Sequence, residues 1–234
     1  RGEVLGIIGK NGAGKSTFIT ALTEFYCSRN KIIKTLESVR DLVVPQEVSQ
    51  LAPLEGSLEN TSDILLLIRP DFTIFDEVRT SDDFKIFADM RLAGVGLVGV
   101  LHASKPVDAV QRFITRVELG VIPSVVDTVI FIAEGEIQEV LALELTVKKP
   151  SGFEDKDLAR PVVEVRDFMN GELLYKIYNF GSDTIVAPLR SSQRSGRGLK
   201  RKQKGSEFGR RFEPRNFVNY DDQDLPENYV QFEI

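Results

Sequence analysis

Over its first 120 residues the chain alternates short apolar runs with segments whose apolar positions recur every three or four residues. "EVLGII" (3–8) reads as a buried strand running into a glycine-rich turn, and "KSTFITALTEFY" (15–26) as the helix that follows. "KIIKTLE" (31–37) is a second strand. "LEGSLENTSDILLLI" (54–68) is a helix, capped by Ser57 or Asn60 and stopped ahead of Pro70. "FTIFDE" (72–77) is a third strand. In "SDDFKIFADMRLAG" (81–94), Phe84, Phe87, Ala88 and Leu92 share one helical face, with Ser81 or Asp82 as cap and Gly94 as stop. "VGLVGVLHA" (95–103) is a fourth strand, and "PVDAVQRFITRV" (106–117) a helix with Pro106 in its first turn. Strands alternating with helices predict an α/β fold with a mostly parallel sheet covered on both faces.

The period changes after about Val121. "VDTVIFIAEGEIQEVLALELTV" (126–147) predicts two strands joined at Glu134–Gly135. "PVVEVRDFMNGELLYKIYNF" (161–180) predicts two more, joined by a two-residue turn at Asn170-Gly171. From Ser191 the chain is polar and broken by Gly and Ser, too poor in apolar residues to offset its ordering entropy. The expected organisation is an α/β domain over 1–149, a β-hairpin-rich extension over 150–189, and a disordered basic linker with an acidic tail over 190–234.

Charge sharpens that division. The 234 residues carry a net charge of −5, yet residues 190–215 hold 10 Lys and Arg against 2 Asp and Glu. A basic segment of this kind suits a salt-sensitive phosphate tether or a solvated linker, and the two readings stand level. One cysteine, Cys27, excludes an internal disulfide framework and a cysteine metal cage, and fits a reducing compartment. The longest apolar runs (64–68 and 95–101) are too short to cross a bilayer, so no membrane insertion and a cytoplasmic location are expected. The start at "RGEVLGIIG", without an initiator Met, reads as the C-terminal portion of something longer.

The chemistry concentrates in "GKNGAGKST". Gly9, Gly14, Lys15 and Ser16 have the P-loop spacing G-x-x-x-x-G-K-[ST], between a strand and a helix. The whole turn (Gly9, Lys10, Asn11, Gly12, Ala13, Gly14, Lys15, Ser16 and Thr17) is the candidate ATP site. Backbone N–H groups and the helix N-terminus face the phosphates, Lys15 reaches the β- and γ-phosphates, and the Ser16 hydroxyl ligates Mg²⁺. The strand at 72–75 then delivers Asp76 and Glu77 at its C-terminal end, where doubly wound sheets bind ligands. Asp76 suits Mg²⁺ and Glu77 the activation of a water. His102, the single histidine, closes the fourth strand. Alone, such a residue reads as structural more readily than catalytic.

"TLES", "LLLIRPDFTIFDEVR" and "GLVGVLHASKPVDAVQRF", in that order after the P-loop, resemble the secretion ATPase superfamily of pilus-retraction, type II and type IV secretion motors. "DFKIFADMRLAGVG", "RVELGVIPSVVDTVIFI" and "DLARPVVEVRDF" are similar to its archaeal members that carry an N-terminal PIN and a C-terminal KH domain. The resemblance covers about residues 1–189. It implies a RecA-like hexamer that binds ATP at subunit boundaries and works on nucleic acid, with Holliday-junction branch migration the associated activity. It places Glu37 on the family's acidic box, Glu77 on the catalytic glutamate and His102 on the histidine box, where it senses the γ-phosphate or couples nucleotide to movement. It makes Arg69 and Arg79, which flank the strand bearing Asp76, candidate arginine fingers toward a neighbour's γ-phosphate. Arg91, Arg112 and Arg116 lie on helices, where a solvated or ion-paired role is as good a reading as a functional one. Three departures stand out: Asp76 in place of the usual Gly before the glutamate, no PIN domain upstream, and no G-x-x-G loop downstream.

The leading expectation is an ATP-hydrolysing hexameric motor that remodels DNA junctions, with RNA as a further candidate partner. The alternatives are a pilus or secretion assembly ATPase acting on protein partners, and a nucleotide-switched RNA-binding or regulatory module.

Overall fold

The structure, a computed structural model, describes residues 4–148, 160–189 and 230–232. One sheet runs through all of them, in the order β11-β10-β9-β8-β7-β6-β1-β5-β4-β2-β3. The P-loop half holds β1 (Val4–Ile8), β2 (Ile33–Glu37), β3 (Ser49–Leu51), β4 (Phe72–Asp76), β5 (Gly96–Leu101) and β6 (Thr128–Ala133), all paired in parallel. From β7 (Glu136–Lys148) onward every pairing is antiparallel, through β8 (Arg160–Asp167), β9 (Leu173–Phe180), β10 (Asp183–Pro188) and β11 (Val230–Phe232). The expected α/β fold with a mostly parallel P-loop sheet and a β-rich extension is what forms.

Parallel strands covered on both faces need apolar residues at successive positions, and here neighbours along a strand divide between two cores. Ile8, Phe75, Leu97 and Val129 belong to one, which includes Leu65 of α2 (Leu58–Ile68), Phe84 and Phe87 of α3 (Ser81–Leu92), and Phe113 of α4 (Pro106–Ile114). Ile7, Ile74, Val98 and Ile130 belong to the other, closed by Ile19 of α1 (Lys15–Cys27). The first core continues into the extension through Leu141, Val163, Val165, Ile177 and Val186, next to the short helix α5 (Ile122–Val125).

Several local expectations need correction. β3 was not expected: three residues are too few for a periodic signal. Helix α3 is capped by Thr80, not by Ser81 or Asp82. The Thr80 hydroxyl accepts from Asp83 N while Asp83 Oδ2 accepts from Thr80 N, a reciprocal capping box. The turn at Asn170-Gly171 is not a two-residue hairpin. Asp167 Oδ1 accepts from the N–H groups of Met169 and Asn170, opening a longer loop, and Asp167 N donates to Glu172 O. The Glu134–Gly135 turn is the expected two-residue link, with φ 55° and 79° at its two positions. The 149/150 boundary, the basic segment over 190–215 and most of the tail expected to be disordered lie outside the described residues. Val230–Phe232 depart from that expectation as edge strand β11.

Gly99 matters for how β5 carries its end residue to the site. A Cβ built there would stand 2.6 Å from Phe87 Cε2, and Phe87 is fully buried between Phe75 and Phe113. Gly99→Ala is expected to destabilise the chain by about 1–3 kcal/mol, the cost of overpacking a closed core. Urea unfolding measures the loss, and pairing the change with Phe87→Leu should recover part of it.

Candidate functional site

β1 hands the chain to the P-loop at the C-terminal edge of the sheet. The turn passes so close to β6 that a Cβ at Gly9 would sit 2.3 Å from Ile132 O. Gly14, with φ 97°, lies against Gly135 and opens α1. Left-handed geometry at that position explains the glycine. The peptide of Ala13 is latched to the β6–β7 turn, its carbonyl accepting from Gly135 N at 3.1 Å. Lys10, Asn11 and Gly12 are exposed, as are Ser16 and Thr17 in the first turn of α1.

Lys15 turns inward and is 7% exposed. Its Nζ donates to Gly9 O at 3.0 Å and Lys10 O at 2.8 Å, and lies 3.2 Å from His102 Nδ1. Burial lowers the Lys15 pKa, while the Asp76 carboxylate works the other way. Among the described residues two carbonyls and an imidazole hold the ammonium, and no carboxylate pairs with it directly.

His102 continues the contact. Its Nε2 lies 2.9 Å from Glu77 Oε1. Burial and then the Lys15 charge push the imidazole pKa down, so at neutral pH this is a hydrogen bond between a neutral ring and a carboxylate. Because an ammonium only donates, Nδ1 is the acceptor and Nε2–H points at Glu77. Glu77 itself sits at φ 67°, a left-handed position for a non-glycine residue, and its other carboxylate oxygen meets the Arg79 guanidinium. Val78 N donates to Val100 O at 2.8 Å, which pins the turn carrying Glu77 against the strand that ends at His102.

A second carboxylate group gathers beside it. Ligand oxygens of Glu37, Asp41 and Asp76 all lie within 4.8 Å of one another. Burial, then the charges of Asp41 and Glu37, push the Asp76 pKa up to about 6, against the pull of Arg79 and Lys15. Glu37 is fully buried at the end of β2. It accepts from Thr35 Oγ1, from Gln50 Nε2 at 3.0 Å, and from the N–H groups of Asp41 and Leu42 at 3.2 Å each. With four donors on it, Glu37 shapes the loop that presents Asp41.

The structure therefore brings Lys15, His102, Glu77, Arg79, Asp76 and Glu37 together at one edge. Arg69 is not among them. It is exposed at the C-cap of α2, ahead of β4, so the length of that strand separates it from Asp76. Flanking a strand does not tell which end a residue occupies. Arg116 is taken up structurally, with its guanidinium on Ser81 Oγ, Arg112 O and Thr115 Oγ1 and over the Phe84 ring. Sequence reasoning missed Asp41 and Gln50, which sit in a loop and on the unforeseen β3. The carboxylate four residues after Glu37 was the only available signal.

A family model described as ABC transporter matches residues 1–118. A KH and PIN-domain containing protein of Methanocaldococcus jannaschii is 60% identical over 190 residues, which is 81% of this chain and 30% of that protein. The Holliday junction branch migration ATPase PINA of Sulfolobus acidocaldarius is 47% identical over 193 residues, 82% of this chain and 38% of the relative. The chain thus spans about a third of the length of these curated relatives. Among solved structures, the VirB11 ATPase of the Brucella suis type IV secretion system aligns at TM-score 0.49 and 21% identity, over 59% of this chain and 49% of that one. The pilus retraction motor PilT aligns at TM-score 0.47 and 18% identity, over 74% and 48%. The chain belongs to the family that the ABC transporter model describes, and its relatives include an archaeal KH and PIN-domain containing protein and an archaeal Holliday junction branch migration ATPase.

Proposed function

We propose that this ATPase is the motor core of a hexameric nucleic-acid remodeller, binding ATP between subunits and driving branch migration of DNA junctions. The observation that carries the catalytic part is the continuous contact from Lys15 through His102 to Glu77. It joins the residue that grips the phosphates to the carboxylate that acts on water. Support for the DNA part is the 47% identity to a relative named as a Holliday junction branch migration ATPase.

Each residue then has a task. The P-loop N–H groups hold the β-phosphate, and Lys15 follows the charge of the phosphates beyond it. As its ammonium leaves His102 Nδ1 for phosphate oxygen, the imidazole loses that donor and its hold on Glu77 changes. His102 is thus a positioning residue that reports the phosphate to the base. Glu77 accepts the proton of the attacking water. Arg79 neutralises the carboxylate in the resting arrangement, and its exposure leaves it available to a neighbouring subunit's phosphate. Glu37 acts through Asp41, by fixing the loop. No role within this chain's own site fits Arg69; a role across a subunit boundary is the one open to it.

The residues fit a divalent cation. Three crowded carboxylates, one with its pKa raised by burial and then by the charges of the other two, form a donor set that positive charge would relieve. Asp76 and Ser16 would hold Mg²⁺, which when bound supplies charge neutralisation to the phosphates. Among the described residues no helix is long and apolar enough to cross a membrane.

Four outcomes test these assignments. ATP turnover is expected to rise when a four-way junction is added, and Glu77→Gln to cut it at least a hundredfold with ATP still bound, within the general-base range of about 10²–10⁴. Turnover indifferent to DNA would remove the nucleic-acid reading. Lys15→Ala is expected to abolish nucleotide binding by calorimetry. Asp76 gives a pH signature in protein free of nucleotide and metal. Its folded pKa lies above the unfolded value, so ionising it costs stability as pH rises from about 4 through about 6. Asp76→Asn should stabilise the chain at pH 8 by about 1–2 kcal/mol, after allowing for solvent screening, and by nothing measurable near pH 3.5. Melting curves at the two pH values decide it.

A further inference from the structure

The P-loop borders a cavity of about 420 Å³ lined by Lys10, Asn11, His102, Ala103, Ser104, Asp108 and Arg112. Its floor is the β5–α4 connection and the first turns of α4. At roughly 30 Å³ for each molecule's share of liquid, it has room for about a dozen waters. His102 belongs to both the cavity and the Lys15–Glu77 contact, so the cavity abuts the place where Lys15 meets the outer phosphates.

Two arginines of this helix region differ sharply. Arg116 spends its guanidinium on a helix carbonyl, two hydroxyls and an aromatic ring. Arg112, one turn earlier, is half-buried and lines the cavity, and its guanidinium has no hydrogen bond or ion pair among the described residues. Asp108, also at the cavity, already accepts from Lys105 N at 3.0 Å at the start of α4. The Arg112 charge nevertheless reaches the imidazole, contributing to its lowered pKa. A half-buried guanidinium with five donors and no acceptor is an anion site awaiting its ligand. Lys10 and the Asn11 and Ser104 side chains offer further donors across the same space.

We propose that Arg112 binds the terminal phosphate of the nucleotide from within the same chain, so that the cavity between the P-loop and α4 distinguishes a nucleoside triphosphate from a diphosphate. The proposal rests on the ATPase reading and extends it. α4 is then the element that registers loss of the γ-phosphate.

Equilibrium titration of the full chain with ATP and with ADP, each with Mg²⁺, tests this in a Glu77→Gln background that prevents turnover. Adding Arg112→Ala should weaken ATP at least tenfold and leave ADP within twofold. Arg112→Lys, which keeps the charge and loses the fork, should fall between. Arg112→Gln preserves most of the stem and serves as the second variant should the alanine form melt early. Equal weakening of ATP and ADP, or no change in either, overturns the proposal while leaving the ATPase reading intact. Binding of neither nucleotide by the parent chain overturns both.

Discussion

A buried ammonium without a carboxylate to neutralise it is the constraint around which this site is organised. Lys15 is shielded from water and held by two carbonyls and an imidazole nitrogen, partners that solvate a cation without cancelling it. Desolvating a charge on such terms is costly, and burial lowers its pKa accordingly. Two of the nearby carboxylates are engaged elsewhere, Glu77 on His102 and Arg79, and Glu37 on the loop over 41–42 and on Gln50, while Asp76 acts on the ammonium by its charge alone. The positive charge at the P-loop is thereby kept for an anion brought from outside. The strands that surround it, the close passage of Gly9 along β6 and the pinning of Val78 to β5 all serve to keep that arrangement in place.

Asp76 is the complementary case. Its carboxylate is half-buried and crowded by two others, and desolvation together with their charges moves its pKa to about 6. Cation excess and anion excess thus occur side by side, with the Lys15 and Asp76 charges acting on one another. A metal-bound polyphosphate satisfies both at once. His102 stands on the boundary between them as a neutral ring, able to accept from one side and donate to the other.

The regular half of the fold was legible because parallel strands covered on two faces must be apolar at nearly every position, and the helices between them carry clear stops such as Pro70 and Gly94. The P-loop was legible because its spacing is dictated by backbone geometry. What escaped has physical reasons. β3 is too short to show a period. The capping role of Thr80 depends on a reciprocal bond with Asp83 that adjacent Ser81 and Asp82 mimic in sequence. The Asn170-Gly171 turn was overruled by the Asp167 side chain, which competes for the same backbone N–H groups. In the site, strand ends were recoverable and loop or helix contributions were not. Asp41 reaches the carboxylate group from a loop, and Arg69 and Arg79 looked alike until β4 separated them. Arg112 and Arg116 are equally helical in sequence, and only their three-dimensional surroundings tell them apart.

The latch between Ala13 and Gly135 has a mechanical implication. It ties the phosphate loop to the turn between β6 and β7, and the five strands from β7 to β11, at about 4.8 Å spacing, make an arm of roughly 24 Å beyond β6. A sheet bonded edge to edge along that length resists shear, so a small tilt where the loop closes becomes displacement at the distal margin. A rotation of only about 5° would carry that margin roughly 2 Å, comparable to the interface shifts known to switch packed assemblies.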